Sequence, residues 1–399
     1  MAVEFMDLKR QYQSLKGEID NKVIEVLGSG VYTSGKYVLE FEENMKDYLS
    51  VKHVIGCANG TDAIVLALRA CGVKAGDEVI TTPFTFFATP EAIASIGAMP
   101  VFVDINEKDF NIDPDKIEEK ITSKTKAIVP VDIFGNPCDI DKINDLAKKH
   151  DLKVIDDAAQ ALGAEYKGRK VGGLCDITTF SFHPTKNLGA YGDAGMITTN
   201  NDDYATILRA LREHGAGQNG AKAREYLFGV PDDLAGTIPA DINALYNPYK
   251  YFNYLIGYNS RLDPVQAVIL NIKLKHLDKF NATRERIAKR YSEELKDIVK
   301  TPQPSSYSTG GFHQYAIRTD KKVEMGEFLT SKGISTGAFY PVPMHLQKAF
   351  SYLGYEKGSL PVVEMITSES VCLPIYPELT DEEITEVISG IKLFTSQDQ

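Results

Sequence analysis

The sequence predicts an α/β protein with a large domain on a mostly parallel sheet, covered by helices on both faces, and a small C-terminal α/β domain. Three observations carry this expectation. From about residue 54 to 213, β-like runs alternate with helical patterns, as parallel strands joined by crossover helices require. The chain has 399 residues, more than one core of roughly 250–300 residues accommodates. The stretch beyond about residue 300 carries its own short β-like and helical runs. The large domain is placed at 1–262, with an N-terminal arm and an insertion at about 215–256. A connecting helix and the small domain fill 263–399.

Taken in order, HVIGCAN reads as a strand leading into the helix TDAIVLALRACG, and EVITTPF as a strand before the helix ATPEAIASIGA. PVFVDI, AIVPVDI and KVIDDA read as further strands, with IDKINDLAKKH as a helix before the last, and ITTFSF at 177–182 follows. Ligands of such sheets bind beyond the C-terminal ends of the strands. Residues 215–256 break the pattern, being rich in Gly, Pro and Asn yet dotted with aromatics. That stretch reads either as a surface excursion tied down by its aromatics or as a lid or subunit-contact arm. From Asp263 one long helical pattern runs through VQAVILNIKLKHLDKFNATRERIAKRYSEEL and connects the domains. HQYAIRT and GISTGAFY then read as strands, and DEEITEVISGIKLF as the closing helix.

Hydrophobic residues at 43% and charged residues at 25% describe a globular chain. A formal charge of −11 argues against a nucleic-acid partner, which normally meets a basic face. No apolar run approaches the ~20 residues of a membrane span, and MAVEFMDLKRQYQ holds no signal-peptide core. Five scattered cysteines without C-x-x-C spacing point to a reducing cytoplasm, where the N-x-[ST] matches at Asn59 and Asn281 are chance. Seven histidines show no ligand spacing, so no metal is expected. The segment from Gly30 to Lys36 matches the first seven positions of a phosphate loop, but Tyr37 replaces the required Ser or Thr, and a helical pattern precedes it instead of a strand.

The chemistry-bearing residues lie at strand ends. Lys186 sits in SFHPTKNLGAYGDAGM, where desolvation would free its amine to attack a carbonyl. Asp156 and Asp157 end a strand with side chains on opposite faces. One of them could hold a pyridinium nitrogen protonated, with Gln160 three residues on. Asn59-Gly60-Thr61 opens a helix after a strand and forms a phosphate cup or a plain cap. Phe84, Phe86 and Phe87 at another strand end could stack on a planar group or fill core. His313 and His345 could reach a substrate or simply pack.

In this order, cup, aromatic, D-x-x-Q and lysine resemble the pyridoxal-phosphate-dependent aspartate aminotransferase fold (fold type I, with a three-layer large domain). Within it, DLKRQY, GSGVYTSG, ANGTDAI, PFTFFAT, DDAAQALGA, SFHPTKNLGAYGDAGM, LREHGAG, GYNSRLDPVQA, YPVPMH and LPIYPELTDEEI resemble the DegT-type nucleotide-sugar aminotransferases. The resemblance implies that Lys186 holds pyridoxal 5'-phosphate as a Schiff base and moves the substrate proton. Asp157 would face the pyridine nitrogen, Gln160 the ring hydroxyl oxygen, and Phe86 the ring face. Gly60, Thr61 and Ser181 would hold the phosphate, and Asn259 would complete that site from the neighbouring subunit of a homodimer. Glutamate would leave its amino group as pyridoxamine phosphate, and a nucleotide-linked keto-sugar would receive it, toward amino sugars of surface polysaccharides or glycoconjugates. FMDLKRQY and GVYTSG resemble members acting on 3-keto rather than 4-keto sugars. Tyr32, Arg261, His313 and His345 are the substrate-contact candidates. Gly189, Gly192 and Gly195 would let the backbone pass close to the cofactor. The alternatives are a sugar dehydratase on the same fold, whose members typically carry histidine in place of the lysine, or a non-catalytic regulator.

Overall fold

The computed structural model describes residues 2–230 and 251–397. Helices α1 (Leu8–Ser29) and α2 (Lys36–Leu49) precede β1 (His53–Cys57), α3 (Gly60–Ala70), β2 (Glu78–Thr81), α4 (Ala88–Ser95) and β3 (Met99–Phe102). Then come β4 (Thr125–Val129), α5 (Ile140–Lys149), β5 (Lys153–Asp157), the short β6 (Glu165–Tyr166) and β7 (Arg169–Lys170), β8 (Ile177–Ser181) and β9 (Gly195–Thr199). The main sheet has the order β1-β9-β8-β5-β4-β2-β3. The links from β8 through β5, β4 and β2 to β3 are parallel, while β9 runs antiparallel to both of its neighbours. Such strands are buried on both faces, which is why they read as apolar runs.

Alternation along β5 sorts the layers. Val154 packs with Ile143 of α5 and Ile128 on one face, and Ile155 packs with Ile64 of α3 and Ile93 of α4 on the other. Each fully buried aliphatic of this kind contributes roughly 1.5–3 kcal/mol. A second part of the core places Phe41 and Met45 of α2 against Phe180 and Met196.

The chain continues with α6 (Asp202–Leu211), α7 (Gly217–Phe228), α8 (Pro264–Leu274) and α9 (Leu277–Leu295). It ends with β10 (Ser308–Thr309), β11 (Tyr315–Arg318), α10 (Lys322–Ser331), α11 (Pro361–Glu369), β12 (Ser370–Leu373) and α12 (Asp381–Ser396). A separate apolar cluster joins α9, α10, α12, β11 and β12 and takes in Val3 from the N-terminal arm. Thr380 and Glu383 form a capping box at α12, and Arg10 grips Glu383 with both guanidinium nitrogens at 2.8 and 2.7 Å. No described helix is long and apolar enough to cross a membrane.

Three expectations change. The single helix after Asp263 is two, turned at Lys275 and His276, so that α8 packs beside α1 and α2 while α9 serves the C-terminal cluster. GISTGAFY makes only isolated bridges, Val3 to Ile334 and Gly337 to Cys372, and the partner of β11 is β12. In 215–256, α7 forms where no helix is expected, because Gly217, Asn219 and Gly220 mask the good helix formers of AKAREYLF. Of its described aromatics, Tyr226, Phe228, Tyr251 and Phe252 are exposed, while Tyr254 is half-buried against Gly220 of α7. Residues 231–250 of that insertion lie outside the described residues.

Candidate active site

Asp157 ends β5 on the face shared with α3 and α4, and is 4% exposed. Its Oδ2 accepts the Thr89 hydroxyl at 2.7 Å, and its Oδ1 accepts the Ala159 N–H at 3.2 Å. Thr89 lies in the first turn of α4, with its hydroxyl 2.8 Å from that of Thr85. Burial holds the Asp157 carboxyl above its ordinary value, opposed by these two hydrogen bonds and by Lys186. Asp156 is on the opposite face, where burial and the neighbouring Asp132 and Asp157 push it well up. The pair therefore splits as strand geometry dictates, and Asp157 is the member that feels Lys186.

Ser181 ends β8 and pairs in register with Gly195, the first residue of β9. Between them the chain makes a loop closed at its neck by Phe182 N–H to Ala194 O and Ala190 N–H to Phe182 O, both at 2.8 Å. Lys186 stands at the tip, its own N–H bonded to His183 O at 2.8 Å. Burial lowers its ammonium to about 8, and the charge of Asp157 pulls the other way. Near neutral pH a useful fraction of this lysine is the free amine.

The three glycines of this loop serve the chain itself. A Cβ at Gly189 would stand 2.3 Å from Pro184 O, and one at Gly195 would stand 2.3 Å from Asn59 O. One at Gly192 would crowd the Gln266 amide at 3.1 Å. They admit backbone and neighbouring side chain at close quarters.

Asn59 caps α3, its side chain accepting Asp62 N–H at 2.7 Å. Among the described residues the N–H groups of Gly60 and Thr61 carry no hydrogen bond. Gly60 lies so close to Ser181 that an added Cβ would be 2.7 Å from the serine Cβ. Two free helix N–H groups, the Thr61 hydroxyl and the Ser181 hydroxyl thus share one small region, a site suited to an anion.

Gln160, 4% exposed, has its amide oriented from behind: Oε1 accepts Phe134 N–H at 2.9 Å, and Nε2 donates to the Tyr340 hydroxyl at 3.1 Å. The Tyr340 ring lies 6.3 Å from that of Phe86, which is 60% exposed although aromatic. Neither Tyr340 nor Thr89 is singled out by sequence pattern. Both act through partners far along the chain, Tyr340 180 residues from Gln160 and Thr89 68 residues from Asp157.

The substrate candidates divide. His313 is buried, with Nδ1 unpartnered, and burial together with Lys186, Arg284 and His183 keeps its imidazole neutral, well below the ordinary value. His345 is 1% exposed, its Nε2 pairs with Glu364 at 3.1 Å, its Nδ1 is unpartnered, and its ring packs edge-on against Tyr355. Tyr32 is 59% exposed and its hydroxyl donates back to Leu27 O at 3.0 Å, which ties it to the end of α1. Asn259 is exposed and bridges Glu213 through its backbone; the next residue, Ser260, accepts Ala58 N–H at 3.3 Å beside the α3 cap. Arg261 is half-buried.

The residues present fit pyridoxal phosphate. A desolvated lysine faces a buried carboxylate, an exposed ring offers a stacking face, and free N–H donors await an anion. The sequence matches the DegT/DnrJ/EryC1/StrS aminotransferase family over residues 13–392. It is 44% identical over 398 residues to a "pleiotropic regulatory protein" of Geobacillus stearothermophilus, covering 99% of each chain. It is 36% identical over 390 residues to the UDP-2-acetamido-2-deoxy-3-oxo-D-glucuronate aminotransferase of Pseudomonas aeruginosa, covering 98% of this chain and 99% of that one. The structure resembles that of NtdA from Bacillus subtilis with bound cofactor PMP, with a TM-score of 0.85, 33% identity, and coverage of 99% of this chain and 86% of that one.

Proposed function

Because the chain belongs to the DegT/DnrJ/EryC1/StrS aminotransferase family, we propose that it transfers an amino group from glutamate to the 3-keto group of a nucleotide-linked sugar, using pyridoxal phosphate held by Lys186. The observation that carries the reading is the lysine amine, lowered to about 8, facing the one buried carboxylate of β5 that α4 orients. The named substrate of the Pseudomonas relative, a 3-oxo sugar on UDP, supports the 3-keto preference. The family resemblance supports glutamate as donor. Pyridoxal phosphate, when bound, supplies an electron sink for the carbon that loses its proton.

The residues divide the remaining work. Asp157 holds a proton on the pyridine nitrogen by charge and hydrogen bonding. Lys186 takes the proton from the substrate carbon and returns it, a positioned base and acid. Gly60, Thr61 and Ser181 bind the phosphate, Phe86 covers the ring face, and Gln160 turns its NH₂ toward the ring hydroxyl oxygen. Asn259 reaches the phosphate site of a second copy, which makes the working unit a homodimer. Tyr32, Arg261 and the neutral His313 are proposed to meet the sugar nucleotide, Arg261 at its pyrophosphate or at a sugar carboxylate. The separate cluster of α9 to α12 supports a division into two domains, with α8 packed on the large-domain side of it.

The pH dependence of loading follows from the lysine. Pyridoxal phosphate, when bound, would offer an aldehyde, and only the neutral Lys186 amine would be competent to hold it covalently. The apo chain's reconstitution rate should therefore rise with pH and level off above about 8. A rate independent of pH between 6 and 9, followed by visible absorbance (the pH values span about one unit or more on each side of that midpoint), would contradict the assignment.

Glutamate and a panel of 3-keto and 4-keto nucleotide sugars test the whole reading, with product masses as the readout. An amine in place of the 3-keto oxygen is the expected result. Loss of water instead indicates a dehydratase, a reading that Lys186 itself disfavours. The regulator-named relative at 44% identity favours a second reading, a binding protein on the same fold. A chain that binds pyridoxal phosphate but turns over no sugar would uphold it.

A further inference from the structure

Resting on that reading of Lys186, we propose that Lys273 is a positioning residue for it, gripping the lysine loop from beneath through α8.

Lys273 is 1% exposed. Its ammonium donates to Gly189 O at 2.7 Å, three residues beyond Lys186, and lies 4.2 Å from the centroid of the Tyr191 ring. Seven residues earlier, on the same face of α8, Gln266 accepts Tyr191 N–H at 2.8 Å and donates back to Tyr191 O at 3.4 Å. Two side chains of one helix thus hold 189–191 by backbone and ring. From α9, Asn281 accepts the Asn187 amide at 2.9 Å, the residue next to Lys186, so the chain leaving the tip is held by two helices.

The choice of lysine is the informative part. A buried ammonium bonded to a carbonyl, without a paired carboxylate at bonding distance among the described residues, is costly to place. Its proton affinity reflects this, lowered to about 8 by burial and only partly restored by Glu378. Core packing alone would be served as well by methionine. What methionine cannot do is fix Gly189 O, and with it the height of the loop tip over Asp157. The glycine at 189 is itself demanded by the contact with Pro184 O. Displacing a catalytic group by about 1 Å lowers rates by as much as about 10²-fold.

The test compares Lys273→Met and Lys273→Arg with the wild-type holoenzyme. Three quantities are read: kcat and KM with glutamate, the pH midpoint of the visible band of the lysine-bound cofactor, and the melting temperature. Lys273→Met should lower kcat by about tenfold to about a hundredfold, with the KM for glutamate nearly unchanged. Its midpoint should rise by about half a unit or more, because a slack loop admits water to a cation that burial had disfavoured. Its melting temperature should not fall, since an apolar residue replaces a buried charge. Lys273→Arg, still able to donate to Gly189 O, should recover most of the rate and the wild-type midpoint.

A Lys273→Met enzyme with the wild-type midpoint and kcat overturns the inference. So does one whose melting temperature falls while its midpoint stays put, since that is the mark of packing alone. Should Lys273→Met fail to fold, Gln266→Leu removes the other grip and is read in the same way. A wild-type chain that binds no pyridoxal phosphate overturns the underlying reading, whereas an unmoved midpoint in a loaded variant overturns only this one.

Discussion

Lys186→Ala is expected to lower kcat by roughly 10⁴-fold or more, because it removes both the covalent anchor and the positioned acid–base group. The visible band of the lysine-bound cofactor should vanish, and any cofactor retained through the Gly60, Thr61 and Ser181 donors should leave on dialysis. Folding should survive. The loop neck is closed by backbone groups of Phe182, Ala190 and Ala194, and none of those bonds involves the lysine side chain. The apo variant should therefore melt at or above the wild-type temperature, having lost an ammonium that burial already disfavours. Turnover within tenfold of wild type would dismiss Lys186 as the reacting lysine. Loss of turnover together with unfolding would place it in the scaffold instead.

Asp157→Asn separates charge from shape. Asparagine can still accept Ala159 N–H at its Oδ1 and, with the Thr89 hydroxyl turned round to accept, donate to it from Nδ2, so the site keeps its outline. What disappears is the negative charge opposite the pyridine nitrogen, and kcat should fall by about 10²–10³-fold. Stability should move in two directions. In the apo chain burial raises the Asp157 carboxyl above its ordinary 3.8, so the folded state holds that proton more tightly than the unfolded one. The resulting penalty is absent below the unfolded value, grows as pH rises through it, and is complete above the raised folded value. Asp157→Asn should thus melt higher than wild type at neutral pH as apo protein, with the gap closing at acid pH. Loaded with cofactor the order should reverse, since the wild-type carboxylate then has a cationic partner. Melting curves of both forms at neutral and acid pH decide it; a variant equally favoured with and without cofactor would refute the pairing.

Much of the architecture was legible because parallel strands buried on both faces leave short β-branched runs that need no long-range information to recognise. The lysine was legible only in company: its own stretch reads as readily as a surface lysine, and Asp157, Gln160 and Asn59-Gly60-Thr61 at neighbouring strand ends are what single it out. The illegible parts depend on partners distant in the chain. Nothing in YPVPMH says that Tyr340 will seat the Gln160 amide, and nothing in NIKLKHL separates Lys273, which is buried, from Lys275, which is exposed. β12 was missed because Ser370–Leu373 is short and follows α11 without a turn signal. The crowding of the loop glycines was illegible for the same reason: their neighbours include Asn59 and Gln266, each more than seventy positions away.

The neck of the lysine loop has one more consequence. Ser181 and Gly195 are ladder partners, so the chain leaves and rejoins the sheet at the same point whatever the loop tip carries. Architecture and reactivity are inherited separately. A lineage could silence the reaction by a single codon change at residue 186 while every strand stayed in register, and the intact shell would remain available for recruitment to another task.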